Sequence, residues 1–420
     1  MKKGIIIGGS ISGCAVAILL SRLGIEVTVL ERSSGSAEGN GAGIMLPLAL
    51  VKKCIELDLF DADIPRLAIS GRTFFRKTNA EGQVEKFWHQ SLQGFALNWI
   101  DVYRNLRKRL NPGLIQHHQQ VINIQKEKSR YSLKTALNTA YTADFVVAAD
   151  GVESTVRKKL SSTTETYAGY IAWRGTLADC TYDPGESIEC YPWENGHILV
   201  YRIPAADYEK TGKAMINWLI YERTSPDQLQ LRLTDCQNKV HTRSVPPKGL
   251  HETQCDYLHA LAKAHFPSVI AEIVHQTTHP FIQVIFDSQI TAYPDNDLLF
   301  VGDAAATARP HSASGVTKAL GNAIDLHQLL LSNPDKDLFP LFSQWKDKQQ
   351  KTNAEEVDKA KKMGDALISN PPDWSGMDQK SMDVWWTQIM LGHTWLLHKP
   401  RTNLLIAAVK NTHFAPNCSR

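Results

Sequence analysis

The feature that most constrains this chain is a glycine-rich turn between two short apolar runs. The turn, GGSISG at residues 8–13, follows the apolar residues 4–7 and precedes an apolar stretch that ends at Gly24. A second apolar run over residues 25–30 ends in Glu31, eighteen residues after the last glycine of the turn. Strand, turn, helix, strand and acid in this order predict a dinucleotide-binding βαβ unit of a Rossmann-like α/β fold.

Each position of the turn has a physical role in such a unit. Gly8 permits the tight turn, Gly13 permits close helix–strand packing, and Ser10 replaces the middle glycine with a small side chain. The helix start then offers free N–H groups to a pyrophosphate, and Glu31 accepts hydrogen bonds from ribose hydroxyls. Arg32 follows, but the neighbouring acid disfavours a 2′-phosphate. NADP is therefore not expected in this site, which leaves NAD or FAD.

The uncharged N-terminal run has a competing interpretation. Two lysines precede an uncharged stretch over residues 4–21 that contains AVA at residues 15–17, a pattern typical of a secretory signal. Glycines interrupt this run, whereas the hydrophobic region of a signal is continuous, so we expect the βαβ unit instead. No other stretch is long and apolar enough to suggest a membrane span.

Composition narrows the class of protein. A chain of 420 residues predicts two domains or one elaborated α/β unit, and its net charge of +3 is too balanced for a nucleic-acid binder. The seven cysteines are scattered without a Cys-x-x-Cys pair, which argues against a disulfide scaffold and fits a reducing, cytoplasmic environment. The histidines show no metal-ligand spacing, so no metal is expected.

Two later segments favour FAD over NAD. FVVAADGVESTVR at residues 145–157 and LLFVGDAA at residues 298–305 are apolar strands that run into Asp150 and Asp303. An aspartate at a strand end can bind a polyol such as the ribityl chain of FAD. Gly315, at the start of a predicted helix, offers N–H groups to the flavin ring. Together with Glu31, the sites at Asp150, Asp303 and Gly315 favour the binding of one long dinucleotide, FAD.

These motifs, in this order, resemble those of the FAD-dependent aromatic hydroxylases with the p-hydroxybenzoate hydroxylase fold. The resemblance covers about residues 1–345. Residues 41–44, 98–104, 167–175 and 309–311 are similar to a subgroup that hydroxylates dihydroxypyridines. The resemblance implies a Rossmann-like FAD-binding domain, an inserted antiparallel-sheet substrate domain and a C-terminal helical tail.

Within that resemblance, the residues implied to bind FAD lie at strand ends, turns and helix starts: Gly8, Ser10, Ile11, Ser12, Gly13, Glu31, Arg32, Val121, Asp150, Asp303, Pro310, Gly315, Val316 and Thr317. Among them, the backbone of Val121 would contact adenine, Asp303 the ribityl chain, and Gly315 the edge of the flavin ring. Asp150 and Arg157 match a segment that lies near FAD and is implicated in nicotinamide use.

The chain departs from the family pattern at several positions. Family members often have arginine where this chain has Gly41 or Trp99. The late motif usually has glycine, asparagine and aspartate at Ala313, Thr317 and Asn322. The contacts to the pyrophosphate and the charges around the flavin are therefore expected to differ from those of other members.

Residues 165–290 alternate strand-like runs with turns and predict an antiparallel substrate sheet. In the strand over residues 167–177, period-two alternation puts Tyr170 and Arg174 on one face, where they would orient an anionic or hydroxylated ring. The alternative is that Arg174 pairs with an acid at a domain seam. The resemblance puts His311 near the reactive edge of the flavin, either as a base poised near neutrality or as a structural histidine.

The chain is expected to divide into six segments. Residues 1–70, 96–164 and 291–350 form the FAD-binding domain, 71–95 and 165–290 the substrate domain, and 351–420 a helical tail. Four tryptophans of the tail have the apolar spacing of amphipathic helices. Core packing or packing in a homodimer explains them, with docking to a membrane surface as the alternative.

The resemblance implies a class A flavoprotein monooxygenase. NADH or NADPH would reduce FAD, oxygen would form a flavin C4a-hydroperoxide, and a small phenol or hydroxypyridine would be hydroxylated. Tyr170, Arg174 and His311 are the predicted catalytic residues. Three alternatives stay open: a flavin-dependent epoxidase or reductase acting on a lipid or isoprenoid, a flavin-binding scaffold without turnover, and a plain NAD dehydrogenase.

Overall fold

The computed structural model describes residues 2–34, 42–79 and 83–398. Its strands are, in chain order, β1 (Lys3–Ile7), β2 (Glu26–Leu30), β3 (Gly43–Pro47), β4 (Leu67–Lys77), β5 (Val84–Asn98), β6 (Ile115–Gln116), β7 (Val121–Glu127), β8 (Arg130–Thr135), β9 (Ala140–Ala143), β10 (Phe145–Ala148), β11 (Ser162–Leu177), β12 (Ser187–Trp193), β13 (Gly196–Pro204), β14 (Ala214–Arg223), β15 (Ser244–Val245), β16 (Phe281–Ala292), β17 (Leu298–Phe300) and β18 (Ala306–Thr307). Its α-helices are α1 (Ile11–Arg22), α2 (Leu48–Glu56), α3 (Trp99–Arg109), α4 (Thr155–Leu160), α5 (Tyr208–Thr211), α6 (Pro226–Arg232), α7 (Glu252–His265), α8 (Ser268–Gln276), α9 (Ser314–Leu331), α10 (Leu338–Gly364) and α11 (Gln379–Ile389).

A parallel sheet with the strand order β17-β10-β1-β2-β6 carries the N-terminal motif. Strand β10 is fully buried and β1 nearly so, which is why both read as uninterrupted apolar runs. Residues 11–20 of α1 are all buried, and the helix packs on this sheet beside α9. The predicted βαβ unit and the Rossmann-like α/β fold are confirmed.

A second sheet has the strand order β15-β16-β11-β14-β13-β12-β4-β5-β3. Most of its pairings are antiparallel, while β12 and β4 run parallel. Because β4 joins β12 directly, strands from the first hundred residues share one sheet with strands of the predicted substrate segment. The expected antiparallel sheet is confirmed, and the division of the chain into six segments stays a prediction.

The helices of the C-terminal tail begin earlier than expected. The helical tail is expected over residues 351–420, but α10 begins at Leu338. Its first turns bury Leu341, Phe342 and Trp345 against α9 and the parallel sheet, and this packing extends the helix toward its N-terminus. After Gly364 the helix continues as one π-helical turn.

The tryptophans of the tail lie in a core of the second sheet. Trp374, Trp386 and Trp395 are buried there, and Trp385 packs against the same cluster. Core packing therefore accounts for them, and residues 399–420 lie outside the described ranges. Among the described residues, no helix is both long and apolar enough to cross a membrane.

Candidate active site

The start of α1 has the geometry of an anion-binding site. Gly8 adopts a φ of +101°, and a Cβ on Gly13 would lie 1.9 Å from the Gly8 carbonyl oxygen, so the turn requires both glycines. Ser10 precedes the helix without a side-chain capping bond, and the first turn carries no acid. The N–H groups of Ile11 and Ser12 therefore have no partner within the helix, at its positive end.

Glu31 lies beside this turn, directly after β2. Its carboxylate accepts hydrogen bonds from the backbone N–H groups of Gly9 at 2.6 Å and Ser33 at 2.8 Å. Burial alone would raise the pKa of Glu31, but these N–H groups and the adjacent Arg32 outweigh burial and lower it. An ionised carboxylate at this position is a preformed acceptor for ribose hydroxyls.

A cavity of about 370 Å³ opens beside Glu31, and its lining includes Gly8, Ser10, Arg32, Val121 and Asp150. Asp150 Oδ2 accepts a hydrogen bond from the Thr155 N–H at 2.8 Å, whereas Oδ1 is buried without a partner in the described ranges. Burial raises the pKa of Asp150. An unpaired buried oxygen and free helix N–H groups around one cavity fit the polyol and pyrophosphate of a dinucleotide.

The start of α9 offers a second helix end at the same edge of the parallel sheet. Ala313 precedes the helix in the left-handed conformation, with a φ of +55°, and the first turn carries no acid. A Cβ added to Gly315 would meet no atom within 4 Å, so the space beside it is open. Pro310 begins the turn that leads to the helix, Val316 packs against the core, and Thr317 donates to the Ala313 carbonyl at 3.2 Å.

Asp303 follows β17 and has a partner that sequence reasoning missed. The Lys318 ammonium lies 3.2 Å from Asp303 Oδ1 and also donates to the Ala306 carbonyl. The Lys318 side chain is only 2% exposed, whereas that of Asp303 is 39% exposed. A buried cation thus neutralises the carboxylate that the sequence predicts for the ribityl chain. A lysine one turn into a helix that follows a GD motif was the available signal.

Arg157 connects the two later motifs. Its guanidinium donates to the Asp303 carbonyl at 2.7 Å, the Ala304 carbonyl at 3.0 Å and the Val152 carbonyl. The side chain is buried, and the chain's own carbonyls occupy its donors. This contact holds the turn after β10 against the turn after β17.

Tyr170 and His311 meet at the seam between the second sheet and the α9 turn. Tyr170 Oη and His311 Nε2 are 2.9 Å apart, and both side chains are buried. Burial, and then the neighbouring His197, Arg309 and Arg72, hold the pKa of His311 well below its usual range. The expected poise near neutrality is therefore wrong: the imidazole is neutral at physiological pH.

Arg174 lies on the same strand as Tyr170, but it has a different environment. Its Nη1 donates to Gln283 Oε1 at 2.9 Å, and its Nε is buried without a partner. Within the described ranges no carboxylate lies at ion-pair distance, and the neutral Gln283 stands where the alternative expected an acid. The charge of Arg174 lowers the pKa values of the buried Tyr201 and Tyr221, although burial outweighs it and raises both. Among the described residues, Arg174 is thus a cation without an acidic partner, beside two phenols and 5.6 Å from the Phe281 ring.

Comparison with known proteins agrees with this geometry. A family model described as FAD binding domain-like matches residues 167–287. A 2,6-dihydroxypyridine 3-monooxygenase of Paenarthrobacter nicotinovorans is 27% identical over 383 residues, which cover 86% of this chain and 90% of that protein. The solved structure of 2,6-dihydroxypyridine-3-hydroxylase from Arthrobacter nicotinovorans matches with a TM-score of 0.80 at 24% identity, over 90% of this chain and 96% of that chain. Over most of its length the chain is therefore similar to FAD-dependent aromatic monooxygenases.

A salicylate hydroxylase substrate complex shares the fold as well, with a TM-score of 0.70 at 18% identity over 93% of this chain and 94% of that chain. The resemblance to these hydroxylases and to their dihydroxypyridine subgroup, predicted from the motifs, is confirmed. The predicted roles of individual residues in this chain stay predictions. Of the departures from the family pattern, Gly41 lies outside the described residues, and Trp99 stacks on Tyr103 with ring centroids 5.3 Å apart.

The seam between the second sheet and the turn before α9 also contains residues that sequence reasoning missed. On β14, Asn217 Oδ1 accepts the Gly43 N–H at 2.8 Å, while its Nδ2 is buried and unpaired in the described chain. His197 lies on β13 and is buried, and its ring centroid is 5.6 Å from that of His311. Its Nδ1 has no hydrogen-bond partner among the described residues. Alternation over His197, Leu199 and Tyr201 was the available signal, but it does not show which face meets the cofactor.

Proposed function

We propose that this chain is a FAD-dependent monooxygenase that hydroxylates a small, electron-rich aromatic or heteroaromatic ring of the phenol or hydroxypyridine type. Its co-substrates are O2 and NADH or NADPH. The observation that carries the proposal is Arg174, a cation that has no acidic partner among the described residues and lies beside Tyr201 and Tyr221. A hydroxylated ring ionises at its oxygen, and a guanidinium offers the matching charge and donors. The dihydroxypyridine 3-monooxygenase relative favours a hydroxypyridine.

In this proposal the residues that would hold FAD lie at the carboxyl edge of the parallel sheet. Glu31 and the backbone of Val121 would hold the adenosine, the start of α1 the pyrophosphate, and Asp303 the ribityl chain. The positive end of α9 would favour negative charge on the flavin ring. When bound and reduced, FAD supplies the activated oxygen that is transferred to the substrate ring.

The chain's own residues bind and orient the ring. Arg174 binds it as its anion, which keeps it electron-rich and lowers the pKa of its hydroxyl. Tyr170 keeps its proton because burial raises its pKa, and its Oη lies 2.9 Å from His311 Nε2. In this proposal the Tyr170 hydroxyl donates to Nε2 and the proton of the neutral His311 is on Nδ1, so His311 acts toward the substrate as a hydrogen-bond donor rather than as a strong base.

The nicotinamide cofactor binds only transiently in this proposal. The described chain contains one glycine-rich βαβ unit, and FAD occupies it, so NADH or NADPH must approach from the surface. We place the protein in the cytoplasm, because six scattered cysteines are free in the described residues. A homodimer stays a prediction.

A lipid or isoprenoid epoxidase would need an apolar pocket free of arginine. Arg174 and its buried Nε, unpaired among the described residues, speak against that alternative, because an apolar substrate offers neither an anion nor an acceptor and would leave the cation with the neutral Gln283 and the Phe281 ring. An experiment, rather than any single contact in the structure, distinguishes a flavin-binding scaffold without turnover from the proposed monooxygenase.

The test begins with the absorbance spectrum of the purified full-length protein, followed by NADH and NADPH oxidation with a panel of hydroxypyridines and phenols. We expect a yellow protein whose oxidation rate rises with one ring compound and yields hydroxylated product. A yellow protein that is indifferent to every ring would favour the lipid or scaffold alternatives. A colourless protein that cannot be reconstituted with FAD would refute the proposal.

A further inference from the structure

Arg72 on β4 joins the tail of the chain to the active-site sheet. The residue is 5% exposed, and its guanidinium has an uncharged hydrogen-bond partner, because Nη2 donates to Gln90 Oε1 at 2.7 Å. Its Nε has no partner in the described chain. Four aromatic rings surround its guanidinium, with centroids 4.5–5.2 Å from Cζ: Phe74, Trp88, Trp386 and Trp395. We call Arg72 and these four rings the Arg72 clamp.

The rings of the clamp come from both sides of a seam. Phe74 and Trp88 belong to β4 and β5, whereas Trp386 lies in α11 and Trp395 follows that helix. The negative faces of aromatic rings stabilise a buried cation. Burial lowers the pKa of Arg72 to about 10, so the guanidinium stays charged at neutral pH. Its attraction to rings on both sides holds the tail on the sheet.

Trp395 carries this contact to the turn before α9. Its indole N–H donates to the Ser312 carbonyl at 2.9 Å, in a buried position. Ser312 follows His311 directly. The backbone of the same tail segment is also paired with the sheet, because the Leu397 carbonyl accepts the Gln93 N–H at 2.8 Å.

We propose that Arg72 is a positioning residue: it holds Trp395 in place, and Trp395 holds the turn over residues 310–313 that carries His311 and leads to α9. The consequence of this contact for oxygen transfer from the flavin to the ring substrate rests on the proposed function. The contact between the Arg72 clamp and the turn over residues 310–313 is independent of that function. Without the clamp, the turn opens more often, and water reaches the site where oxygen transfer requires its exclusion.

The test uses amide hydrogen–deuterium exchange, followed by mass spectrometry, on the purified full-length protein with and without added FAD. Arg72→Met keeps most of the side-chain volume but removes the charge. We expect exchange in a peptide spanning residues 306–316 to become about tenfold faster, with peptides from α1 unchanged. Trp395→Phe keeps an aromatic ring but loses the N–H, and we expect the same local increase. Arg72→Lys, which keeps the charge, should restore part of the protection.

Arg76→Met is the matched control. Arg76 lies on the same strand and donates to the carbonyls of Trp374, Ser375 and Met377, so it binds another part of the tail. Its loss should leave exchange in the 306–316 peptide at the wild-type level. Equal acceleration in Arg76→Met would show general loosening of the tail and would overturn the proposal.

Unchanged exchange of the 306–316 peptide in both Arg72→Met and Trp395→Phe would also overturn it. If Arg72→Met exchanges faster throughout the chain, its stability is lost globally, and Trp395→Phe decides the matter. In turnover, both clamp variants should release more peroxide per NAD(P)H consumed, and Arg76→Met should not. If the clamp variants show the local increase in exchange but the wild-type protein does not bind flavin, the proposal about the Arg72 clamp holds and the proposed function is refuted.

Discussion

The nucleotide side and the substrate side of the proposed active site are built by different means. On the nucleotide side, β1, α1 and β2 supply backbone N–H groups and one carboxylate, Glu31, all within the first 31 residues. On the substrate side, Tyr170 and Arg174 come from β11, and His311 comes from a turn 141 residues after Tyr170. One side depends on close backbone packing, the other on side chains with few partners of opposite charge.

This difference predicts which kind of substitution each side tolerates. Where backbone atoms pack against glycine, one added carbon is costly and charge matters little. Where a cation or a neutral imidazole is buried with few partners, a change in the charge of the group matters more than a change in its volume. The following variants test this contrast, in order of decreasing effect.

Gly13→Ala should have the largest effect. Its Cβ would lie 1.9 Å from the Gly8 carbonyl oxygen, a backbone atom that moves only if β1 and α1 separate. We expect the free energy of unfolding to fall by about 3 kcal/mol, measured by urea denaturation, and bound flavin to be lost from the absorbance spectrum. Gly321→Ala in α9 is the control, because an added Cβ meets no atom within 4 Å there. It should stabilise the helix by roughly 0.5–1 kcal/mol, and equal losses in both variants would contradict the packing argument.

Arg174→Met should raise the KM for the ring substrate about 30-fold, equivalent to about 2 kcal/mol, because the anionic ring loses a charged hydrogen-bond donor. Flavin absorbance and affinity should stay unchanged, since Arg174 lies on the substrate side. Arg174→Lys keeps the charge without the planar fork and should have an intermediate KM. Arg202 lies on β13, and Arg202→Met, which removes its surface pair with Asp183, serves as control. A wild-type KM in Arg174→Met would remove Arg174 from the substrate site.

Acidification should destabilise the substrate side through its buried histidines. Burial lowers the pKa of His197 to about 3, and that of His311 is also well below the usual 6.5. Above pH 6.5 these histidines are neutral in both the folded and the unfolded chain, so their titration does not reduce the free energy of unfolding. Below this pH the unfolded chain binds protons that the folded chain excludes, so each histidine costs about 1.4 kcal/mol per pH unit. For His197 this loss continues down to about pH 3.

Urea denaturation at pH 7.5 and pH 5.5 measures this slope. His197→Gln should lose less stability than the wild type between these two pH values, by about 1 kcal/mol. His279→Gln, at an exposed position just before β16, is the matched control and should follow the wild-type slope. Identical slopes in wild type and His197→Gln would show that this histidine titrates normally in the folded protein.

The nucleotide side could be predicted because its signal is local. The spacing from Gly8 to Glu31 describes one strand, one turn and one helix, and each residue's role follows from neighbours along the chain. Alternation in β11 likewise placed Tyr170 and Arg174 on one strand face. It did not predict their partners, because a period of two says which face a residue shares but not which strand lies beside it.

The sequence by itself thus determined the dinucleotide-binding βαβ unit and the resemblance to aromatic hydroxylases, since these depend on short-range order and backbone geometry. Only the tertiary structure decided that Tyr170 meets His311, that Gln283 rather than an acid is the partner of Arg174, and that Arg72 lies among tryptophans of the tail. These contacts join residues far apart in the chain. They follow from the strand order of the second sheet and from the packing of the tail on it, neither of which any local pattern encodes.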